Sequence, residues 1–343
     1  MENTIDHKKG FKNDLRGTSD LISEFDMNDY LVVDFGSEIT KVGFSGVDYP
    51  KIISPTLVGE PCNENESDLT ATKLPHIFGN GALTTFSEKL STMGAVGGNQ
   101  ADKSSDYTLK CPINRGYVGE DKLDDLFKKY CKHMFESQIQ MDANKMNVLI
   151  IDSPDHDKKY RSRIAEIFFD TLRVASINFL NSSVLSLFST GLTEGLVIEI
   201  GHGRSSVVPI FGGYTLAHAM HSSPWGGSDS TDYLTKMLEG DTHCNELLNS
   251  QKFHKGTLIK EIKEKLSIMA DNFHEALEGE ETSSIEEKSF ELPDGQIIEI
   301  NHVYRHTSAE ILLNPSLVGS TEPQLIENIY DSIWRVDKDL RKI

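Results

Sequence analysis

Apolar residues alternate with polar ones in two similar stretches of the chain. The first, YLVVDFGSEITKVGFSG, begins at Tyr30, and the second, GLVIEIGHGRSSVVPIFGG, begins at Gly195. Each predicts a β-hairpin, because short apolar runs lie on both sides of a turn that contains an acid and a glycine. The acids are Asp34 and Glu199, which are 199 − 34 = 165 positions apart. The repeated pattern predicts that the same type of hairpin, with an acid and a glycine at its turn, occurs twice in the fold.

Between the hairpins the spacing is that of helices and buried strands. Apolar residues from Leu123 to Met134 recur at helical intervals, and the run NVLIID is typical of a buried parallel strand. A helix is predicted to begin after Asp155 or Asp157 as N-cap. ASINFL then predicts a strand, and SSVLSLFSTG predicts a short helix closed by Gly191. This order indicates an α/β layer with a mixed sheet.

After Gly191 the pattern starts again. FGGYTLAHAM predicts a further strand, SFELPDGQIIEI predicts a hairpin with a Pro-Asp-Gly turn, and a helix is expected around Ile329 and Trp334. The clearest helix of this half has one apolar stripe. Its members are Leu258, Ile262, Leu266, Met269 and Phe273.

Length and charge limit the classes of protein. A chain of 343 residues suits two domains or one duplicated fold, and a net charge of −19 argues against direct binding to nucleic acid. The sequence contains no run of eighteen apolar residues, so it predicts no membrane-spanning helix. The polar composition of residues 1–29 predicts a flexible tail, and this segment lacks the apolar stretch of a secretory signal. The four cysteines lack CxxC spacing, which favours reduced thiols in an intracellular protein.

The two acid-and-glycine turns indicate a shared ligand. Consecutive backbone N–H groups bind anions, and glycine allows the backbone to approach phosphate oxygens. Asp34 and Glu199 would repel phosphates unless a divalent cation lay between them. A single turn of this kind is better explained by ordinary turn chemistry. The pair favours a nucleotide with Mg²⁺ or Ca²⁺ in a cleft between two lobes.

These stretches resemble actin and the actin-related proteins. The two hairpins look like the family's phosphate-binding loops, and five more blocks match in order and spacing: YTLKCPINRGYV, SSVLSLFSTG, WGGSDSTDYLTKML, IKEIKEKL and ELPDGQIIEI. The resemblance implies a duplicated actin-like ATPase fold of class α/β, with two RNase H-like lobes around a nucleotide cleft. The first lobe would span 30–192, with a small polar subdomain at 56–105. The second would span 193–343, with a helical subdomain at 227–319.

The resemblance also implies a site for ATP or ADP with Mg²⁺ or Ca²⁺. Asp34 and Glu199 would hold the metal through water, whereas Lys263 and Glu264 would bracket the adenine and ribose. The implied nucleotide-binding residues are Asp34, Gly36, Ser37, Lys41, Glu199, Gly201, Gly203, Gly227, Lys263 and Glu264.

Several positions depart from the family pattern. Glu38 stands where the family usually has a glycine, and His202 replaces an acid that helps to arrange the cation's waters. Ser182 and Ser206 stand where actins have the glutamine and histidine that orient the attacking water. Positioning supplies most of the catalysis in phosphoryl transfer. We therefore expect ATP hydrolysis to be slow or absent and assign no catalytic residue. The family's frequently methylated histidine corresponds to Arg115.

Assembly and the end of the chain raise further expectations. NENESDLTATK occupies the position of the family's self-association loop but carries three carboxylates, so filament formation is not expected. Residues between Gly79 and Leu109 are expected to include a surface insertion. Family members continue past DKDLRKI into elements that complete both lobes, so the second lobe is expected to be incomplete. An incomplete gene model, a truncated isoform and a partner that fills the gap remain alternatives.

Two functions follow from this resemblance. The first is a divergent actin-related protein that binds ATP weakly or structurally as a subunit of a cytoskeletal or nuclear assembly. Its partners would be actin or actin-related subunits and scaffold proteins, and it would lie in the cytoplasm, with the nucleus as an alternative. The second is an active, ATP-hydrolysing, filament-forming actin-like protein. Asp34, Lys41, Lys263 and Glu264 favour the second function. Ser182, Ser206 and the acidic loop oppose it.

Overall fold

The computed structural model describes residues 30–62, 75–85, 107–119, 122–250, 254–278 and 288–341. The predicted tail at 1–29, the segment NENESDLTATK and residues 86–105 of the expected insertion lie outside these ranges. The described residues form a mixed α/β structure with several sheets. Among them, no helix combines the length and the apolar character needed to cross a membrane.

The strands are numbered in chain order. They are β1 (Tyr30–Phe35), β2 (Ile39–Phe44), β3 (Ile52–Pro55), β4 (Val58–Pro61), β5 (Ile77–Phe78), β6 (Tyr107–Lys110), β7 (Ile113–Asn114), β8 (Tyr117–Val118), β9 (Asn147–Asp152), β10 (Ser176–Asn181), β11 (Gly195–Ile200), β12 (Ser205–Phe211), β13 (Tyr214–Thr215), β14 (His221–Ser223), β15 (Lys288–Glu291) and β16 (Ile297–Ile300).

The α-helices with both ends described are numbered in the same way. They are α1 (Lys122–His133), α2 (Lys158–Ile167), α3 (Ser182–Ser189), α4 (Gly227–Gly240), α5 (Thr242–Ser250), α6 (Lys255–Leu266), α7 (Phe273–Glu278), α8 (His302–Glu310) and α9 (Leu325–Arg335). Residues 79–85 are also helical, and α1 and α2 each continue into a short π-helical turn.

The largest sheet has the strand order β10-β9-β1-β2-β3. Strands β1, β9 and β10 run parallel, and β2 returns antiparallel to β1. The carboxyl ends of the parallel strands therefore meet at one edge, where Asp34, Asp152 and Asn181 lie. In open α/β sheets this edge is the usual place for a ligand.

A large apolar core covers this sheet. Leu31 and Val33 alternate inward on β1, and α1 and the π turns contribute Phe127, Phe135 and Phe168, all at most 1% exposed. Each such side chain stabilises the fold by about 2 kcal/mol through the removal of apolar surface from water. Helix α2 begins where the sequence predicts, because the Asp157 carboxylate accepts a hydrogen bond from Tyr160 N–H.

The later half of the chain has its own sheet and core. Strands β11, β12 and β13 are adjacent in that order, and β14 also pairs with β12. A separate cluster joins α4, α5 and α6 to the hairpin of β15 and β16, with Leu238, Ile259, Ile262 and Ile298 fully buried. Strands β4, β5 and β6 form a small third sheet. The division into two duplicated lobes stays a prediction.

Two predictions of secondary structure are wrong in part. After Phe211, which ends β12, FGGYTLAHAM contains only the short strand β13. Gly212 and Gly213 adopt positive φ angles of 55° and 80°, and a 3-10 turn at Ala217–Ala219 follows. The apolar stripe predicted through Met269 and Phe273 leaves its helix at Leu266. Ser267 is extended there, and Ile268 N–H donates to the carbonyl of Arg305 on α8. The remaining predicted helices, strands and hairpins are confirmed.

Candidate functional site

The first acid-and-glycine turn joins β1 to β2 and comprises residues 36–39, between the last pair of the two strands, Phe35 and Thr40; Ile39, the first residue of β2, pairs with β3. Asp34 and Lys41 lie directly opposite each other in the ladder, with the Lys41 Nζ 3.7 Å from the Asp34 carboxylate. A Cβ at Gly36 would lie only 2.5 Å from the Ile39 carbonyl oxygen, so the turn needs glycine there. Thr56 fixes the turn from outside, because its hydroxyl donates to the Gly36 carbonyl at 2.8 Å.

The second turn joins β11 to β12 and comprises residues 201–204. Gly201 N–H donates to the Arg204 carbonyl at 2.8 Å. The acid of this hairpin, Glu199, lies opposite Ser206 rather than a lysine. Its carboxylate instead accepts hydrogen bonds from three serine hydroxyls at the start of α3. These are Ser182 at 3.0 Å, Ser183 at 2.7 Å and Ser186 at 2.7 Å.

The structure brings the two turns together. A Cβ built on Gly203 would lie 3.1 Å from the Ser37 hydroxyl and 2.7 Å from the Cα of Arg115. Ser37 itself accepts a hydrogen bond from Gly116 N–H at 2.7 Å. The turn between β7 and β8, which carries Arg115 and Gly116, therefore lies against both hairpin turns.

The two acids affect each other electrostatically. Burial raises the pKa of the Asp34 carboxyl; Lys41 opposes this rise, and the nearby negative charge of Glu199 adds to it. A carboxyl with a raised pKa gains from a nearby cation, because the cation favours its charged form. Asp34 therefore fits the predicted role of holding a divalent cation. Glu199 fits it less directly, because three serine hydroxyls already occupy most of its acceptor positions.

Two more predicted residues, Gly227 and Lys263, lie where α4 and α6 meet the second turn. Gly227 N–H donates to the Gly201 carbonyl at 2.9 Å, and the Lys263 Nζ donates to the Gly227 carbonyl at 2.8 Å. Burial lowers the pKa of Lys263. Glu264 lies farther out, with its side chain 56% exposed and 3.6 Å from the Nζ of Lys260. The predicted residues thus surround one region, with Glu264 at its rim.

Glu38 makes contacts across this region. One carboxylate oxygen lies 3.2 Å from the Nδ1 of His202, and the other contacts the Nζ of Lys260 on α6. Burial alone would raise the pKa of Glu38, but the hydrogen bonds with His202 and Lys260 outweigh it and lower the pKa to about 2. Glu38 is therefore charged, and it links the first turn to elements from the later half of the chain.

Two arginines make further links of this kind. Arg115 donates through both terminal nitrogens to Asp229 of α4, at 2.9 and 2.7 Å. Asp229 also accepts from Gly226 N–H, so it caps α4 at the same time. From the second turn, Arg204 pairs with Asp155, which follows β9.

Sequence reasoning missed these links between distant segments. It singled out Glu38, His202 and Arg115 only as departures from a family pattern. Glu38 and His202 provide a signal that was present in the sequence: an acid is gained in one turn and an acid is lost in the other. Nothing in the spacing of Arg204 and Asp155 identifies them as a pair.

The fold is that of a mixed α/β protein in which two acid-and-glycine hairpin turns lie close together. A family model described as Actin matches residues 25–343. A curated protein of Dictyostelium discoideum named "Putative actin-29" is 30% identical over 319 residues, which cover 92% of this chain and 75% of that protein. The chain belongs to the actin family. Members of this family typically bind ATP with a divalent cation.

Proposed function

We propose that this actin-family protein binds ATP or ADP weakly between its two hairpin turns and acts as a subunit of a larger assembly. The observation that carries the proposal is the convergence of the turns, with Ser37 and Gly203 in near contact and the Asp34 carboxyl close enough to Glu199 for its pKa to respond. Glycines in both turns would let the backbone approach phosphate oxygens closely.

The proposed nucleotide would contact groups from both halves of the chain. Lys41 and the backbone of the first turn would meet its phosphates, together with Gly201 and Gly203 of the second turn. Gly227 and Lys263 would lie toward the nucleoside. A bound Mg²⁺ or Ca²⁺ would neutralise charge between the phosphates and Asp34. Glu199, held by its serines, would contribute through water.

The surroundings of Glu199 support slow or absent hydrolysis. Ser182, at the position of the family's water-orienting glutamine, donates its hydroxyl to the Glu199 carboxylate at 3.0 Å. Ser206 is buried directly opposite Glu199 in the β11–β12 ladder. Neither side chain has the length to hold a water in line with a terminal phosphate. The loss of such positioning reduces the rate by orders of magnitude.

For an actin-family protein with weak turnover we propose a structural role in an assembly. The proposed partners are actin or actin-related subunits and scaffold proteins, in the cytoplasm and its cytoskeleton or in the nucleus. The alternative is an active filament-forming protein, which the Asp34–Lys41 pair favours, because that pair is arranged for a charged ligand.

Ligand-induced thermal stabilisation tests the proposed site. A ligand that binds only the folded state raises the melting temperature with its concentration. We expect MgATP and MgADP to do so for the wild type and much less for Lys41→Met. The matched control is Lys51→Met, because Lys51 is exposed and lies over the Phe44 ring outside the site. Equal shifts in the two variants would contradict the proposal.

Turnover and assembly need separate measurements. Phosphate release should stay near the uncatalysed rate under conditions that polymerise conventional actin, and sedimentation should find no filaments. Native mass spectrometry of the protein isolated from its source should find it in complexes with other subunits. Release and sedimentation like those of conventional actin would favour the filament-forming alternative.

A further inference from the structure

Glu38 carries a negative charge into the region between the two turns. Its side chain is 28% exposed, and its partners His202 and Lys260 are 31% and 24% exposed. The contacts therefore lie in a partly enclosed place rather than on an open surface. Charged pairs in such places are less screened by salt and water than surface pairs.

The backbone around Glu38 is held firmly. Its carbonyl accepts a hydrogen bond from Thr56 N–H at 2.7 Å, and the carbonyl of Gly36, two positions earlier, accepts one from the Thr56 hydroxyl at 2.8 Å. The φ angle of Glu38 is negative, so the residue is not strained. Rotation of the side chain would withdraw the carboxylate from His202 and Lys260 without breaking these backbone hydrogen bonds.

The carboxylate uses donors that suit a phosphate. An ammonium group and an imidazole N–H donate to phosphate and carboxylate oxygens alike through charge-assisted hydrogen bonds. Lys263 adds positive charge nearby, since Glu38 is among the charges that influence its pKa. Positively charged lysines, Lys260 and Lys263, therefore lie in this region, and the carboxylate of Glu38 already neutralises part of their charge.

We propose that Glu38 is an internal anion that competes with the ligand's phosphates for Lys260 and His202, and so lowers the site's affinity for a polyphosphate chain. This inference rests on the proposed function, because it takes the region between the turns as the phosphate site. Two anions cannot share these donors without repulsion. A bound polyphosphate displaces the Glu38 side chain, and that displacement breaks the contact of the first turn with the second turn and α6.

Isothermal titration with magnesium-free tripolyphosphate and with MgATP tests the competition in the full chain. Glu38→Gln keeps the size of the side chain and removes its charge. We expect it to bind both probes about tenfold more tightly than the wild type, because one like charge within a few ångströms is removed. Without ligand its melting temperature should fall, and its ligand-induced shift should grow.

The matched control is Glu261→Gln. Glu261 lies on α6 beside Lys260 but pairs outward with Lys265 at 3.7 Å and is 52% exposed. This variant changes the net charge by the same amount and should leave both affinities within about twofold, as expected for a screened surface charge. If Glu38→Gln does not fold, Glu38→Ala removes the same charge at a position whose backbone accepts alanine.

The outcomes separate the two proposals. Tighter binding by the Glu38 variants and not by Glu261→Gln supports the internal anion. Equal binding by wild type and Glu38→Gln overturns the inference and leaves the proposed nucleotide site standing. Weaker binding by Glu38→Gln shows that the carboxylate only holds the halves together, which also overturns the inference. Binding of neither probe by any variant overturns both proposals.

Discussion

The two acid-and-glycine hairpins have turns of equal length, but different groups balance their acids. The last paired positions are Phe35 with Thr40 in the first hairpin and Ile200 with Ser205 in the second. In the first, Asp34 lies opposite a lysine of its own hairpin. In the second, the position opposite the acid is a serine, and Glu199 is stabilised by three hydroxyls of α3.

The turns also differ in what surrounds them. Glu38 and Gly203 occupy equivalent positions, since 203 − 38 = 165, the same offset as between the acids. In the first turn this position holds a charged side chain that reaches across the site. In the second it holds a glycine against the backbone of Arg115. The two turns can therefore carry different side chains at equivalent positions, because glycine is needed only where a backbone atom lies too close for a Cβ.

The largest effect is expected from a methyl group at the crowded position of the second turn. In Gly203→Ala the new Cβ would lie 2.7 Å from the Cα of Arg115, and the backbones must separate. We expect a loss of about 3 kcal/mol in the free energy of unfolding. Gly240→Ala is the control, because a Cβ there meets nothing within 4 Å. Urea unfolding compares them, and equal stabilities would contradict the close approach.

A somewhat smaller effect is expected at the link between Arg115 and α4. Asp229→Ala removes both hydrogen bonds to the guanidinium and the cap on Gly226 N–H, and should cost about 2.5 kcal/mol. Asp232→Ala removes the same charge one turn later on α4. Burial and the charge of Asp229 raise the pKa of Asp232, so its loss should be neutral or stabilising. Thermal unfolding of both variants measures the difference.

Local patterns were sufficient to predict most of the fold. Alternation of apolar residues identified β1, β2, β11 and β12, and an acidic residue before an apolar stripe identified the start of α2. The pattern failed where a distant segment decides the conformation. The stripe through Met269 continues the helical spacing, yet the chain leaves α6 because Ile268 N–H pairs with Arg305 of α8.

The candidate site also contains residues that the sequence could predict and residues that only the structure identifies. Asp34, Gly36, Glu199 and Gly201 could be named from the sequence because each belongs to a short motif. The serines that donate hydrogen bonds to Glu199 could not be named from the sequence. Ser183 lies 16 positions before Glu199, on a different element, and only the packing of α3 against β11 brings their side chains together. Contacts of this kind depend on tertiary structure and leave no periodicity in the chain.

The two acids of the first hairpin should respond to pH with opposite signs. The pKa of Glu38 falls from 4.5 to about 2 on folding, so its stabilisation is complete above 4.5 and is lost as pH falls toward 2. Glu38→Gln should therefore be about 2 kcal/mol less stable than the wild type near pH 6, and equal to it near pH 2.

Asp34→Asn provides the contrast in that titration. Because the pKa of Asp34 is raised, its contribution favours folding below the ordinary value of 3.8 and is lost as pH rises through the folded-state value. The difference between wild type and this variant should then change in the opposite direction across the acid range. Urea unfolding between pH 2 and pH 6 measures both, and parallel curves would contradict the assignment.

The smallest effect is expected where the second hairpin uses several neutral donors in place of one lysine. Ser183→Ala removes a buried hydroxyl 2.7 Å from the Glu199 carboxylate, but two serines continue to donate, so the loss should be about 1 kcal/mol. Ser189→Ala is the control, because its exposed hydroxyl donates only to a carbonyl of α3. A loss as large as that of Glu38→Gln would mean that one hydroxyl carries the balance alone. A loss near 1 kcal/mol in thermal unfolding would instead show that the three hydroxyls share the stabilisation of the Glu199 carboxylate, whereas the first hairpin pairs its acid with a single lysine.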